Sequence, residues 1–211
     1  MTLQDLSASL HNCQRCKLAK LGRSQVVFGT GNPNASIMFV GEAPGFNEDR
    51  QGEPFVGAAG KLLDKLLESA GLSRSQVYIA NVIKCRPPNN RDPEPDEVET
   101  CKPFLLQQIE MIQPKLVCTL GNWATQTILE KKVGITKVKG QAIKLERFVV
   151  FPLLHPAAAL HQGNLLGTLQ EDFRKLKAYL DRMDAPALQT GSAAVSATSA
   201  VPQPQLDLFG S

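Results

Sequence analysis

The chain has 211 residues, 43% of them hydrophobic and 20% charged, with a formal net charge of +3. That is enough apolar material for one domain with a sizeable core and an appended segment, and too little for two large domains. No uncharged apolar run reaches the roughly 18 residues of a membrane span, and the start MTLQDLSASLHNCQRCKLAK has no signal-peptide core, so a cytoplasmic protein is expected and a membrane protein is not, with monomer as the default state.

A charge of +3 does not by itself establish a polyanionic partner. Its distribution is more informative. Arg15, Lys17, Lys20 and Arg23 cluster beside the first two cysteines, and Lys131, Lys132, Lys137, Lys139 and Lys144 form a second group. Either group can face phosphate or simply be solvated.

In chain order, residues 37–41 (IMFVG), 77–82 (VYIANV) and 115–120 (KLVCTL) are short apolar, partly β-branched runs, each followed by loop residues and then a helical pattern. Helices are predicted at about 58–70, where Leu62, Leu63, Leu66 and Leu67 recur at helical spacing before Gly71, and at about 95–112, 122–132 and 164–182. A further strand pair is predicted at 142–145 and 148–152. This alternation gives an α/β fold, three layers with a central, mainly parallel sheet. Ligands bind such sheets beyond the carboxyl ends of the strands, where the loops beginning at Glu42, Asn81 and His155 converge.

Five cysteines in a chain expected to meet a reducing compartment do not read as a disulfide framework. Cys118 lies inside an apolar run and reads as a buried core thiol. Cys13 and Cys16, a C-x2-C pair on or beside a short N-terminal helix, and Cys85 and Cys101 remain as a four-thiolate ligand set. Zinc and an iron–sulfur cluster both accept such a set, and spacing does not choose between them.

The segment GEAPGFNEDRQGEPFVGAAGKLLD follows a predicted strand and reads as a tight loop in which backbone N–H groups approach a ligand. It is not a phosphate loop, because Leu62 follows Lys61 where Ser or Thr is needed and Phe55 occupies the first glycine position.

With GEAPG-x-x-ED at 41–49, EPFVG-x-AG-x-LLD at 53–64, N-x-x-K-C-R-PP at 81–88 and HP-x-x-x-L at 155–160, added to the four cysteines, the chain resembles the family 4 uracil-DNA glycosylases over residues 10–180. The resemblance implies a uracil-DNA glycosylase-like fold over 1–183, a [4Fe-4S] cluster on Cys13, Cys16, Cys85 and Cys101 in preference to zinc, and hydrolytic release of uracil from DNA as the start of base excision repair. It also implies a uracil pocket made by Gly41, Glu42, Ala43, Phe55, Asn81 and His155.

The residue chemistry agrees with that implication. A flipped base needs a stacking face and hydrogen bonds to its polar edge. Phe55 offers the face, and the Asn81 amide both donates and accepts, as the O4 and N3–H edge of uracil requires and as cytosine does not. His155 is the donor toward O2, where negative charge grows as the glycosidic bond breaks. Other families of these enzymes carry an aspartate where Ala43 stands, so Glu42 is the nearest carboxylate for positioning water or stabilising the sugar cation. Glu48 and Asp49 share that work or brace the loop. The alternatives are core packing for Phe55, a strand-end turn for Asn81 and a plain loop role for His155.

Leu160, after three alanines, is a wedge for the gap left by a flipped base, or a core residue. A cross-linking branch of the superfamily carries a basic, histidine-containing insertion in the stretch that here reads VIKCRPPNNRDPEPDEVET, without histidine, so covalent capture of the product is not expected. From a different class, the chain is a non-catalytic iron–sulfur DNA-binding module recruited to the replication clamp. Glu42, Asn81 and His155 together favour the enzyme.

Residues 184–204 are rich in Ala, Ser, Pro, Thr and Gln and read as a disordered linker. Gln205, Leu206, Asp207, Leu208 and Phe209 then form a compact peptide that closely resembles the segment by which bacterial repair and replication proteins dock on the sliding clamp. Residues 205–211 are thus expected to be a clamp-binding tail.

Overall fold

The computed structural model describes residues 1–184, so the clamp-binding tail and all of the expected linker but Asp184, which ends a helix, lie outside the described residues. In chain order the elements are α1 (Leu3–Leu10), β1 (Thr30–Gly31), β2 (Ile37–Gly41), α2 (Phe46–Gln51), α3 (Ala58–Ser69), β3 (Tyr78–Asn81), α4 (Pro95–Ile112), β4 (Leu116–Leu120), α5 (Asn122–Leu129), α6 (Ile135–Val138), β5 (Ile143–Lys144), β6 (Val149–Leu153), α7 (Pro156–His161) and α8 (Leu165–Asp184).

One six-stranded sheet runs in the order β1-β3-β2-β4-β6-β5. The four inner strands are parallel, and β1 and β5 close the two edges antiparallel to β3 and β6. Successive strand side chains point to opposite faces, and helices cover both, which is why the inner strands are almost wholly apolar, Thr119 and the strand-end Asn81 excepted. On one face Phe39, Cys118 and Phe151 pack with Leu63 and Leu67 of α3 and with Leu169, Phe173 and Leu176 of α8. Phe39 and Phe173 stack there with ring centroids 6.3 Å apart. On the other face Met38, Val40, Val117 and Val150 pack with Leu105 and Ile109 of α4 and with Ala124 and Ile128 of α5. The three-layer α/β architecture is therefore the one expected. Among the described residues no helix is long and apolar enough to cross a membrane.

Several local features differ from the sequence reading, among them the short helices α6 and α7, which were not foreseen. Residues 46–51 form α2 inside the segment read as a loop, closed by Gly52 at φ 78°. Its one buried residue is the polar Asp49, so the helix carries no apolar periodicity to detect. Strand β1 is two residues long and was not foreseen. Helix α5 stops at Leu129 because Glu130 adopts the left-handed conformation.

The parallel strands end together. Gly41 pairs in register with Asn81, and the neighbouring strands end at Leu120 and Leu153. The loops that leave these ends wall a single crevice.

Candidate active site

The crevice encloses about 480 Å³ and is lined by Glu42, Ala43, Glu48, Phe55, Asn81 and His155, and also by Pro87, Asn90 and Asp92. It thus brings together the residues singled out from three separate motifs. Gly41 lies beneath it.

Asn81 ends β3 with its side chain 1% exposed, and its Oδ1 has no hydrogen-bond partner among the described residues. A buried acceptor left without a donor costs about 1–3 kcal/mol, so it is retained where a ligand supplies the donor. Gly41 makes room for it. A Cβ at position 41 would lie 2.4 Å from Asn81 Oδ1 and 2.6 Å from Phe55 Cζ, closer than atoms pack.

Phe55 is buried and holds φ at 56°, a left-handed conformation that costs a non-glycine residue energy and needs support from its surroundings. Support comes from three directions. Arg74 donates to the carbonyls of Pro54 and Phe55 while its Nε donates to Asp64 at 2.6 Å. Gly60 lies so close that a Cβ would collide with the Phe55 carbonyl. Glu48 Oε1 accepts from the backbone N–H groups of Val56 at 2.9 Å and Gly57 at 2.8 Å.

The acidic candidates are thereby separated. Glu48 braces the Phe55 loop, and the buried Asp49 accepts from the Ser24 N–H at 2.9 Å. Glu42 faces the crevice, where burial, and then the negative charge of Asp92, push its carboxyl up to about 7.

His155 is the N-cap of α7, and its Nδ1 accepts from the Ala157 N–H at 3.1 Å. That bond places the ring proton on Nε2 and makes this nitrogen a donor. Burial pushes the imidazole down to about 4, against the opposing pull of Glu48, so the ring is neutral at physiological pH. It stacks on Phe55 with centroids 5.5 Å apart. Leu160 lies at the last turn of α7, half exposed, beside Ala157, Ala158 and His161 at the crevice wall.

Sequence reasoning missed Arg74, the bracing of Phe55 by Glu48, and the wall formed by residues 87–92. The wall has a signal, since Asn89 and Asn90 both hold φ at 54° and paired asparagines tolerate that conformation. Arg91 pins it to the fully buried Glu97 through bonds of 2.9 and 2.6 Å. Arg74, remote in sequence and in a polar turn, has none.

The four cysteines named as ligands share one neighbourhood. Cys13 and Cys16 follow α1, which packs on α4, the helix that carries Cys101, and Cys85 lies just after β3. Burial pushes the Cys85 thiol up to about 12; Arg23 opposes this, and negative charge at Cys101, Cys16 and Cys13 adds to it. Burial likewise raises Cys101, whose Sγ accepts from the Lys84 N–H at 3.3 Å. Cys118 sits apart, fully buried in β4. Among the described residues no three His, Cys, Asp or Glu side chains close around a single ion position.

This fold and crevice define a class. A sequence model of the Uracil DNA glycosylase superfamily matches residues 28–181, which hold the sheet and the crevice residues. The chain is 50% identical to a type-4 uracil-DNA glycosylase of Sulfurisphaera tokodaii, over 83% of this chain and 84% of that protein. It is 48% identical to that of Saccharolobus solfataricus, over 83% and 85%, and 46% identical to that of Archaeoglobus fulgidus, over 83% and 92%. The chain belongs to the type-4 uracil-DNA glycosylase family.

Gly41→Ala is expected to leave the fold intact but force Asn81 and Phe55 apart, at about 1–3 kcal/mol of stability. A crystal structure and a urea titration of the variant check this, and unchanged side-chain positions at unchanged stability would contradict it.

Proposed function

We propose that the protein removes uracil from DNA by flipping the nucleotide into the crevice and hydrolysing its glycosidic bond. The observation that carries this reading is the buried Asn81 Oδ1 without a donor. Uracil N3–H supplies that donor, and the amide NH2 donates in turn to O4. Cytosine presents an acceptor at N3 and a donor at position 4, so it would leave both sides of the amide mispaired, and buried mispaired groups give strong rejection.

Phe55 supplies the stacking face. As the bond between C1′ and N1 breaks, its electron pair passes to the base and is delocalised onto O2, where the neutral His155 donates from Nε2. Water adds to C1′ and gives up a proton, the uracil anion takes up a proton in exchange, and free uracil and an intact abasic strand remain. Glu42, as a carboxylate on the same crevice, stabilises the cationic sugar and can orient the water. Leu160, exposed at the rim, fits the role of wedge in the vacated stack.

No lysine lines the crevice among the described residues, and the Lys84 ammonium is buried against the Asn81 carbonyl at 2.8 Å. This supports a simple hydrolase over a Schiff-base lyase. The non-catalytic DNA-binding module is not favoured, since mere binding needs no raised carboxyl beside a fixed neutral imidazole.

Cys13, Cys16, Cys85 and Cys101 would hold a [4Fe-4S] cluster, tying the N-terminal segment to α4 and the Asn81 strand. Four gathered thiols fit such a group, whose positive core would supply the charge that lets buried thiolates form. Four thiolates accept zinc or a cluster, and the likeness to the type-4 enzymes is what favours the cluster. We also assign Gln205, Leu206, Asp207, Leu208 and Phe209, on the linker, to the sliding clamp, on the motif alone; tethering would raise enzyme concentration near new DNA.

Uracil release from a uracil-containing oligonucleotide, with abasic product revealed by alkaline cleavage, tests the reaction. Asn81→Ala and His155→Ala are each expected to lose on the order of 100- to 1,000-fold in kcat, whereas a wild type that binds DNA without releasing base contradicts the reading. In the same assay kcat/KM should rise with pH through about 7 as Glu42 loses its proton, and the rise should vanish in Glu42→Gln. Iron analysis of the purified protein should give roughly four irons per chain, lost in Cys85→Ser; stoichiometric zinc instead would overturn the cluster. Deleting 205–211 should abolish clamp binding in a pull-down and leave base release intact, and undiminished clamp binding would sink that assignment.

A further inference from the structure

Phe46 opens α2 immediately after Gly45, which lines the crevice, and leaves half of its surface exposed. It carries two arginines. Arg50, one helical turn later, places its guanidinium 5.7 Å from the ring centroid, and Arg86, from the segment after β3, places its own at 5.1 Å. Arg86 is fixed further, because its Nε donates to Asn90 Oδ1 at 2.7 Å and Asn90 belongs to the crevice wall.

Of the seven other arginines four are neutralised, while Arg15 and Arg23 sit beside Cys13, and Arg182 lies in the last turn of α8. Arg74, Arg91, Arg147 and Arg174 each pair with a carboxylate, whereas among the described residues neither Arg50 nor Arg86 does. Two guanidiniums gathered on one exposed ring repel each other, and the cation–π attraction that holds each at a surface is worth only about 0.5–1 kcal/mol. An anion between them relieves the repulsion. The crevice itself is a poorer place for that anion, because Glu42, Glu48 and Asp92 line it and, among the described residues, its one arginine, Arg91, is paired with Glu97.

We propose that Arg50 and Arg86, ordered by Phe46, form a phosphate-binding site for the substrate strand at the rim of the crevice, beside the flipped nucleotide. The proposal rests on the uracil-excision reading: a base that enters the crevice stays attached to its strand, so the flanking phosphodiesters must cross this rim, past carboxylates that repel them. A guanidinium takes a phosphate through two parallel N–H···O bonds and fixes strand register without reading sequence. The aromatic ring holds the two side chains ready, which lowers the ordering cost of binding.

The test is fluorescence anisotropy of a short fluorescein-labelled single strand carrying one 2′-fluoro-2′-deoxyuridine, titrated with full-length protein over a series of KCl concentrations. Arg50→Gln and Arg86→Gln should each weaken binding and reduce the slope of log K against log[KCl] by roughly 0.7, the contribution of one single-strand phosphate. The double variant should lose both increments. Phe46→Ala should weaken binding about 3- to 10-fold, which corresponds to losing about 0.65–1.4 kcal/mol of ordering contact. In uracil release the arginine variants should raise KM with kcat nearly unchanged, which separates strand binding from damage to the pocket.

An unchanged salt slope in the double variant, with an unchanged melting temperature, overturns the proposal. A fall in kcat at constant KM overturns it as well and assigns the pair to support of the neighbouring loops. If the wild type releases no uracil, the excision reading fails on its own count, while the salt slopes still report whether the arginines meet phosphate.

Discussion

Asn81 holds a buried amide oxygen at the end of a parallel strand, where no described residue offers it a donor. Much of the surrounding structure serves to keep that arrangement in place. Gly41 lacks the Cβ that would strike both the amide and Phe55. Phe55 is fixed from behind by Arg74, Gly60 and Glu48, in a backbone conformation it would not adopt alone. His155 receives the Ala157 N–H and is thereby set in the tautomer that donates outward. Each group is oriented before any ligand arrives, and orientation in advance is what makes hydrogen bonds effective in catalysis.

The same strand links the crevice to the cysteines. Lys84 is buried, with burial lowering its pKa to about 8. Its Nζ donates to the Asn81 carbonyl and to Gln108, and its backbone N–H donates to Cys101 Sγ. Gln108 passes the connection on to the Phe28 carbonyl at 2.9 Å. A single residue thus ties the end of β3, helix α4 and the thiol group into one polar network inside an apolar core. Groups that order the cysteines also order the backbone from which the Asn81 side chain projects.

The layered sheet was legible because its inner strands are buried on both faces and read as nearly unbroken apolar runs, and because α3, α4 and α8 are long enough to show helical periodicity. The crevice residues were legible as the polar positions at strand ends, where topology brings loops together, and the family resemblance gave them roles. What escaped has a common cause. Helix α2 buries an aspartate instead of an apolar stripe, β1 is too short to alternate, and the supports of Phe55 are long-range hydrogen bonds from Arg74 and a carboxylate eight positions away. Periodicity carries no trace of such contacts. Ambiguity over Glu48 and Asp49 had the same origin, since only their backbone partners distinguish bracing from chemistry.

Methylation at N3 removes the one hydrogen that the Asn81 oxygen accepts in the proposed reading, and leaves the glycosidic bond, O2 and the stacking face of the base in place. The most direct measurement is therefore the single-turnover rate of base release from matched oligonucleotides carrying either 2′-deoxyuridine or its N3-methyl derivative. The present account predicts rapid release of uracil and a loss of at least roughly 100-fold for N3-methyluracil, the effect of leaving a buried acceptor unpaired against a methyl group. Release of both bases at similar rates would contradict it, and would mean that the buried amide oxygen is not what selects the substrate.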